Sequence, residues 1–130
     1  MQEKPLISVV DDDESVRDAT TGLMRSLGYL AQGYSSAEEF LASDAVSRTA
    51  CLIADVNMPG ASGLELRSRL LAMGRSIPTI VITAYPDESV RVRALNAGVI
   101  CYLSKPFDEA DLRACICSAL AQAGGDDPSA

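Results

Sequence analysis

Short, unbroken apolar runs alternate along the chain with stretches whose apolar residues recur at helical spacing. Leu6-Ile7-Ser8-Val9-Val10 is the first run and reads as a buried strand. Residues 14–27 then set Val16, Ala19, Leu23, Met24 and Leu27 on one helical face, with Gly28 as the stop. Residues 29–34 carry a weak strand pattern, and Ser36 with Glu39 forms a capping box before a helix through Phe40 and Leu41. Residues 51–54 are the next apolar run. Ser62 and Glu65 make a second box, opening a helix with Leu66, Leu70 and Met73 that ends at Gly74. Residues 77–83 form the most apolar strand, centred on Ile80-Val81-Ile82. A less strongly patterned helix covers 87–97 before Gly98, and Val99 to Leu103 is the last strand. Asp108 caps a final helix with Leu112, Cys115, Ile116, Ala119, Leu120 and Ala123 on one face.

Five strands alternating with five helices define the α/β class. Strands that are apolar throughout, between amphipathic helices, belong to a parallel sheet covered on both faces. Such sheets bind ligands beyond the carboxyl ends of their strands. No repeat, linker or low-complexity block divides the chain, so one domain is expected over 1–123, with a short flexible tail at 124–130.

Charge and composition narrow the function. A net charge of −7 argues against direct nucleic-acid binding, which needs clustered Lys and Arg. No apolar run approaches the ~20 residues of a membrane span, and Met1-Gln2-Glu3-Lys4-Pro5 lacks a signal core, so a cytoplasmic protein without membrane association is expected. The chain has no His and no Cys-x-x-Cys pair. Cys51, Cys101, Cys115 and Cys117 therefore read as small buried hydrophobes in a reducing compartment rather than a metal site.

The candidate chemistry sits at strand ends. Asp11, Asp12 and Asp13 follow the first strand and Asp55 follows the third. Acids gathered there repel one another unless a cation lies between them. A hard divalent ion takes one or two carboxylates and keeps several waters. The bland alternative is a solvated acidic turn capping the first helix, the role suited to Asp13. Thr83 ends the fourth strand and Lys105 follows the fifth; the only other lysine is Lys4. A Lys beside three acids balances charge and can hold an anion, though a strand-end salt bridge would use the same residue. The Thr hydroxyl can donate to a phosphoryl oxygen, though β propensity alone would also favour Thr there. Turning Lys105 back toward Asp55 favours a cis Lys105-Pro106 bond, since X-Pro bonds carry only a modest cis penalty of ~0.5–1 kcal/mol.

Val9-Val10-Asp11-Asp12-Asp13-Glu14, Asp55-Val56-Asn57-Met58-Pro59-Gly60 with Gly63 beyond, Thr83-Ala84, Ala97-Gly98 and Lys105-Pro106-Phe107 recur in that order at successive strand ends. The combination resembles the receiver domain of two-component response regulators over almost the whole chain, nearest in style to receivers of nitrogen-fixation-regulator-type transcription factors. The resemblance implies a flavodoxin-like sheet of order 2-1-3-4-5. It makes Asp55 the phosphoacceptor, with Mg²⁺ held directly by Asp12, Asp55 and the backbone carbonyl of Asn57, and by Asp11 directly or through water. Thr83 and Lys105 would hold the remaining phosphoryl oxygens, and Tyr102 would rotate inward as Thr83 moves. Asn57 and Tyr85 would flank the path of a hydrolytic water. The implied partner is a histidine kinase or phosphotransfer protein, with output or homodimerisation through the 87–123 face. A free-standing receiver is favoured over an excised one by the chain's native-looking start. Three other readings compete: a phosphate sink, a receiver acting by contact alone, and an aspartyl-phosphate phosphohydrolase. The last is disfavoured because Asn57 stands where such enzymes need a second acid.

Overall fold

The computed structural model describes residues 4–57 and 62–125, the last four of these by backbone alone. Five strands, β1 (Leu6–Val10), β2 (Leu30–Tyr34), β3 (Thr49–Asp55), β4 (Thr79–Thr83) and β5 (Cys101–Ser104), form one sheet in the order β2-β1-β3-β4-β5. All neighbours are parallel. The helices are α1 (Glu14–Ser26), α2 (Ala37–Leu41), α3 (Gly63–Ala72), α4 (Glu88–Asn96) and α5 (Glu109–Gly125), with a 3₁₀ turn at Asp44–Ser47 that periodicity did not reveal. The tail expected from Gly124 thus begins inside α5, and residues 126–130 lie outside the described residues.

Alternation along the strands builds two cores. Ile7 and Val9 of β1, Ile53 of β3 and Ile80 and Ile82 of β4 pack with Met24 of α1 and Leu112, Cys115, Ile116 and Ala119 of α5. On the other face Leu6, Val10, Leu52 and Ala54 meet Phe40 of α2 and Leu66 and Leu70 of α3. Val81 reaches Ala94 of α4 beside Tyr102. β1 and β4 are buried at every residue, because helices cover both faces. β2 is an edge strand with three exposed residues, so its sequence pattern is faint.

Several expected details shift. α1 buries Thr20, Thr21 and Met24, while Ala19 is exposed and Val16, Leu23 and Leu27 are half-buried. Val16, Leu23 and Leu27 still pack with Met24 against the core as expected, and toward β2 the Thr21 methyl comes near Gly33 while the Arg17 stem covers it. Met73 is not core: it terminates α3 and is exposed. The Ser62–Glu65 box forms as expected. At α2, Ser36 Oγ accepts from Glu39 N, but Glu39 reaches Ser35 N instead of Ser36 N. The cysteines depart most from expectation. Cys51 is buried as expected, but Cys117 is exposed, and Cys101 and Cys115 are joined as a disulfide. β5 and α5 bring residues 14 positions apart into contact, which helical spacing within α5 does not reveal.

Candidate functional site

Each element ends where a functional side chain begins. β1 delivers Asp11, whose carboxylate is fully buried and whose Oδ1 accepts from Asp13 N at 2.9 Å. Asp13 then serves as N-cap of α1, accepting from Ser15 N and Val16 N. Arg17 Nη1 donates to the Asp11 carbonyl at 2.9 Å and fixes this turn. Asp12, between them, is exposed.

β3 delivers Asp55, 4% exposed. Its Oδ1 accepts from Asn57 N at 2.8 Å and its Oδ2 from Lys105 Nζ at 2.8 Å. Gly63 lets α3 start against this strand end, because a Cβ there would lie 2.9 Å from the Asp55 carbonyl oxygen. Met58-Pro59-Gly60, which follow, lie outside the described residues.

β4 and β5 complete the rim. Thr83 is fully buried, and its Oγ1 accepts from Asn57 Nδ2 at 2.5 Å and Tyr85 N at 3.0 Å. The hydroxyl proton is therefore not spent on either bond. Lys105 reaches over from the end of β5 through a cis Lys105-Pro106 bond, as expected. Its Nζ stands 2.9 Å from Asp11 Oδ2 as well as 2.8 Å from Asp55 Oδ2.

Burial pushes the Asp11 carboxyl up, opposed by the Asp13 amide and Lys105, while the Asp55 charge adds to the rise. Burial pulls Lys105 down, but its hydrogen bond to Asp55 and its close contacts with the Asp55 and Asp11 charges outweigh that and leave it raised. One ammonium thus serves two buried carboxylates.

Asp11, Asp12 and Asp55 each offer a carboxylate oxygen, all within 4.8 Å of one another. Asp11 Oδ2 is buried and accepts no well-directed hydrogen bond, so its Lys105 contact is an ion pair without hydrogen-bond alignment. An all-oxygen cluster with an unsatisfied buried lone pair fits a hard divalent cation.

Asp11, Asp12, Asp55, Asn57, Thr83 and Lys105 are therefore neighbours. Tyr102 is apart, on the α4 side, where its hydroxyl accepts from Asp87 N at 3.1 Å. Tyr85 contributes its backbone N–H to Thr83, while the residue is 76% exposed; the ring does not cover the site. Arg17 belongs to none of the motifs visible in the sequence. A cation in a helix's first turn opposes the macrodipole, and that mismatch is a usable sign of a role in the preceding turn. The Asn57–Thr83 bond spans 26 positions and left no local signal.

The profile of the response regulator receiver domain matches residues 7–117. The chain is 40% identical over 118 residues to the response regulator protein TmoT of Ectopseudomonas mendocina, covering 91% of this chain and 54% of that protein. It is 37% identical to the transcriptional regulatory protein FixJ of Azorhizobium caulinodans, over 92% of this chain and 57% of FixJ. The chain thus spans about half the length of the curated relatives it matches. A crystal structure of a CheY-like response regulator receiver domain protein from Methanospirillum hungatei superposes with TM-score 0.84 at 26% identity, covering 95% of this chain and 99% of that one. With the sheet order, the strand-end cluster and these matches together, the chain belongs to the response regulator receiver domain family.

Proposed function

We propose that this receiver is the phosphoacceptor of a two-component phosphorelay. Asp55 takes a phosphoryl group from a histidine kinase or phosphotransfer protein in a Mg²⁺-dependent reaction, and the change switches a protein–protein surface. The observation carrying this reading is the setting of Asp55: a buried strand-end carboxylate with Lys105 at 2.8 Å and two further acids within 4.8 Å.

An Asp55 carboxylate oxygen attacks phosphorus in line. The new P–O bond forms as the P–N bond to the donor imidazole breaks, and the electron pair leaves with the nitrogen. Mg²⁺, held by Asp11, Asp12, Asp55 and the Asn57 carbonyl, would neutralise charge on the phosphoryl oxygens. Lys105 is already paired with Asp55 Oδ2 and can transfer its contact to a phosphoryl oxygen. Thr83 accepts two hydrogen bonds and retains its own proton, so it can donate to another phosphoryl oxygen. An apolar groove lined by Val16, Ala19, Leu23 and Phe107 opens beside Lys105 and suits a donor protein's approach.

Catalysis on this reading is limited to the domain's own phosphorylation and dephosphorylation, in the cytoplasm. Output runs through the 87–123 face, where Tyr102 bridges β5 to the start of α4; a homodimer would use the same face. Asp55→Asn is expected to keep the fold, by circular dichroism, and to lose labelling by acetyl phosphate. Labelling equal to wild type would overturn the assignment.

A further inference from the structure

Cys101 opens β5 and Cys115 lies within α5, and the structure joins their sulfurs as a disulfide. Their Cα atoms are 6.1 Å apart, inside the range of about 4.4–6.8 Å that such a bond requires. The fold sets up this approach. Alternation along β5 sends Cys101 and Leu103 toward α5, and Tyr102 to the opposite face. α5 turns Cys115 to the same side as Leu112, Ile116 and Ala119.

The other two thiols differ. Cys51 is enclosed in β3, where burial pushes its thiol up to about 12 and leaves no thiolate to react. Cys117 is exposed and unpaired, and two residues beyond Cys115 it points away from β5. Cys101 is only half-buried, on a strand with a single neighbour in the sheet, so a small reagent can reach it.

We propose that Cys101 and Cys115 form a reversible redox site whose oxidised state staples α5 to the edge of the sheet. The bond closes residues 101–115 into a ring that contains Tyr102, Lys105, Pro106 and Phe107. The segment joining the charge cluster to the α4–β5–α5 face is then restrained at both ends. Reduction frees α5 to move relative to β5.

Hydrogen peroxide is a sufficient oxidant. The Cys101 thiolate attacks one peroxide oxygen, the O–O bond breaks, and the departing hydroxide takes a proton to become water. The Cys115 thiolate then attacks the sulfenic sulfur. The S–S bond forms, the S–O bond breaks, and a second water leaves. Two thiols have lost two protons and two electrons to the peroxide. A dithiol reductant reverses the change by thiol–disulfide exchange.

The test is peptide mapping of the whole chain, reduced with dithiothreitol and then treated with hydrogen peroxide. Trypsin cuts after Arg93 and Arg113 but not between Lys105 and Pro106, so Cys101 falls in peptide 94–113 and Cys115 with Cys117 in 114–130. Oxidation is expected to join these two peptides within one molecule and to remove two of the four titratable thiols; dithiothreitol restores both. Cys117→Ser keeps the link, while Cys101→Ser and Cys115→Ser each abolish it. Amide exchange in α5 slows on oxidation of the wild type and not of Cys115→Ser. Four free thiols after peroxide, over-oxidation without a link, a link that survives in Cys115→Ser, or unchanged α5 exchange in the linked wild type would each overturn the proposal. The wild-type mapping stands even if a variant misfolds.

Discussion

Lys105→Met removes the cation between two buried carboxylates while keeping a stem of similar length. Lys105 Nζ lies 2.8 Å from Asp55 Oδ2 and 2.9 Å from Asp11 Oδ2. Oxygens of the two acids lie within 4.8 Å of each other, where like charges repel by about 3.5 kcal/mol at an effective dielectric of about 20. Protonating an ordinary carboxyl at neutral pH costs about 4 kcal/mol. Burial already raises Asp11, so proton uptake there becomes the easier escape in the variant. Either route costs about 3–4 kcal/mol, in the lower part of the about 3–5 kcal/mol typical for breaking a buried pair. The lower part is appropriate because the Lys105 side chain is 14% exposed and water screens it in part. For a domain of this size that is a fall of about 10–15 °C in Tm. The sign with pH follows from linkage. An acid whose folded pKa is raised contributes stability that is present below its unfolded pKa and lost as pH rises through the folded one. Removing Lys105 raises Asp11 further, so the deficit emerges as pH climbs from acid toward neutral. Urea unfolding of both proteins should show a gap of about 3 kcal/mol near pH 7.5 that is clearly smaller near pH 4.5. Millimolar Mg²⁺ should narrow the gap at the higher pH by supplying positive charge to the same oxygens. A gap of equal size at both pH values, or a variant as stable as wild type near neutrality, would refute the reasoning.

Asp12→Ala, at an exposed position, should change stability by no more than about 0.5 kcal/mol while weakening Mg²⁺ binding tenfold or more, about 1.4 kcal/mol, by calorimetry; normal Mg²⁺ binding would make Asp12 a mere turn residue. Gly63→Ala places a Cβ 2.9 Å from the Asp55 carbonyl oxygen and should cost about 1–3 kcal/mol in urea unfolding, with slower acetyl-phosphate labelling because the end of β3 must shift. Beryllofluoride with Mg²⁺ should alter amide exchange across residues 87–123 more than in α1, and an equal response in α1 would count against a directed switch.

The central strands were readable from the chain because burial on both faces leaves them few polar positions: β1, β3 and β4 are mostly apolar. The acids, Thr83 and Lys105 were readable because in a parallel sheet the chemistry collects at strand carboxyl ends, and each stands at one. The exposed edge β2 was faint for the converse reason. Periodicity found most of the core-facing side of α1, where Val16, Leu23, Met24 and Leu27 meet the core, but passed over Thr20 and Thr21, which are polar by type yet buried.

By itself the sequence determined the alternation of strand and helix, the family resemblance and the residues of the charge cluster. All of these depend on local pattern or on matched motifs. Only the tertiary structure decided which partners those residues take. Lys105 bridges Asp11 and Asp55 together, the Asn57 amide occupies Thr83, the Tyr85 ring faces solvent, and Cys101 meets Cys115. Each of these contacts joins different elements or sets a side chain's direction. Their energies depend on distance and burial after the sheet has assembled, and no spacing along the chain encodes them.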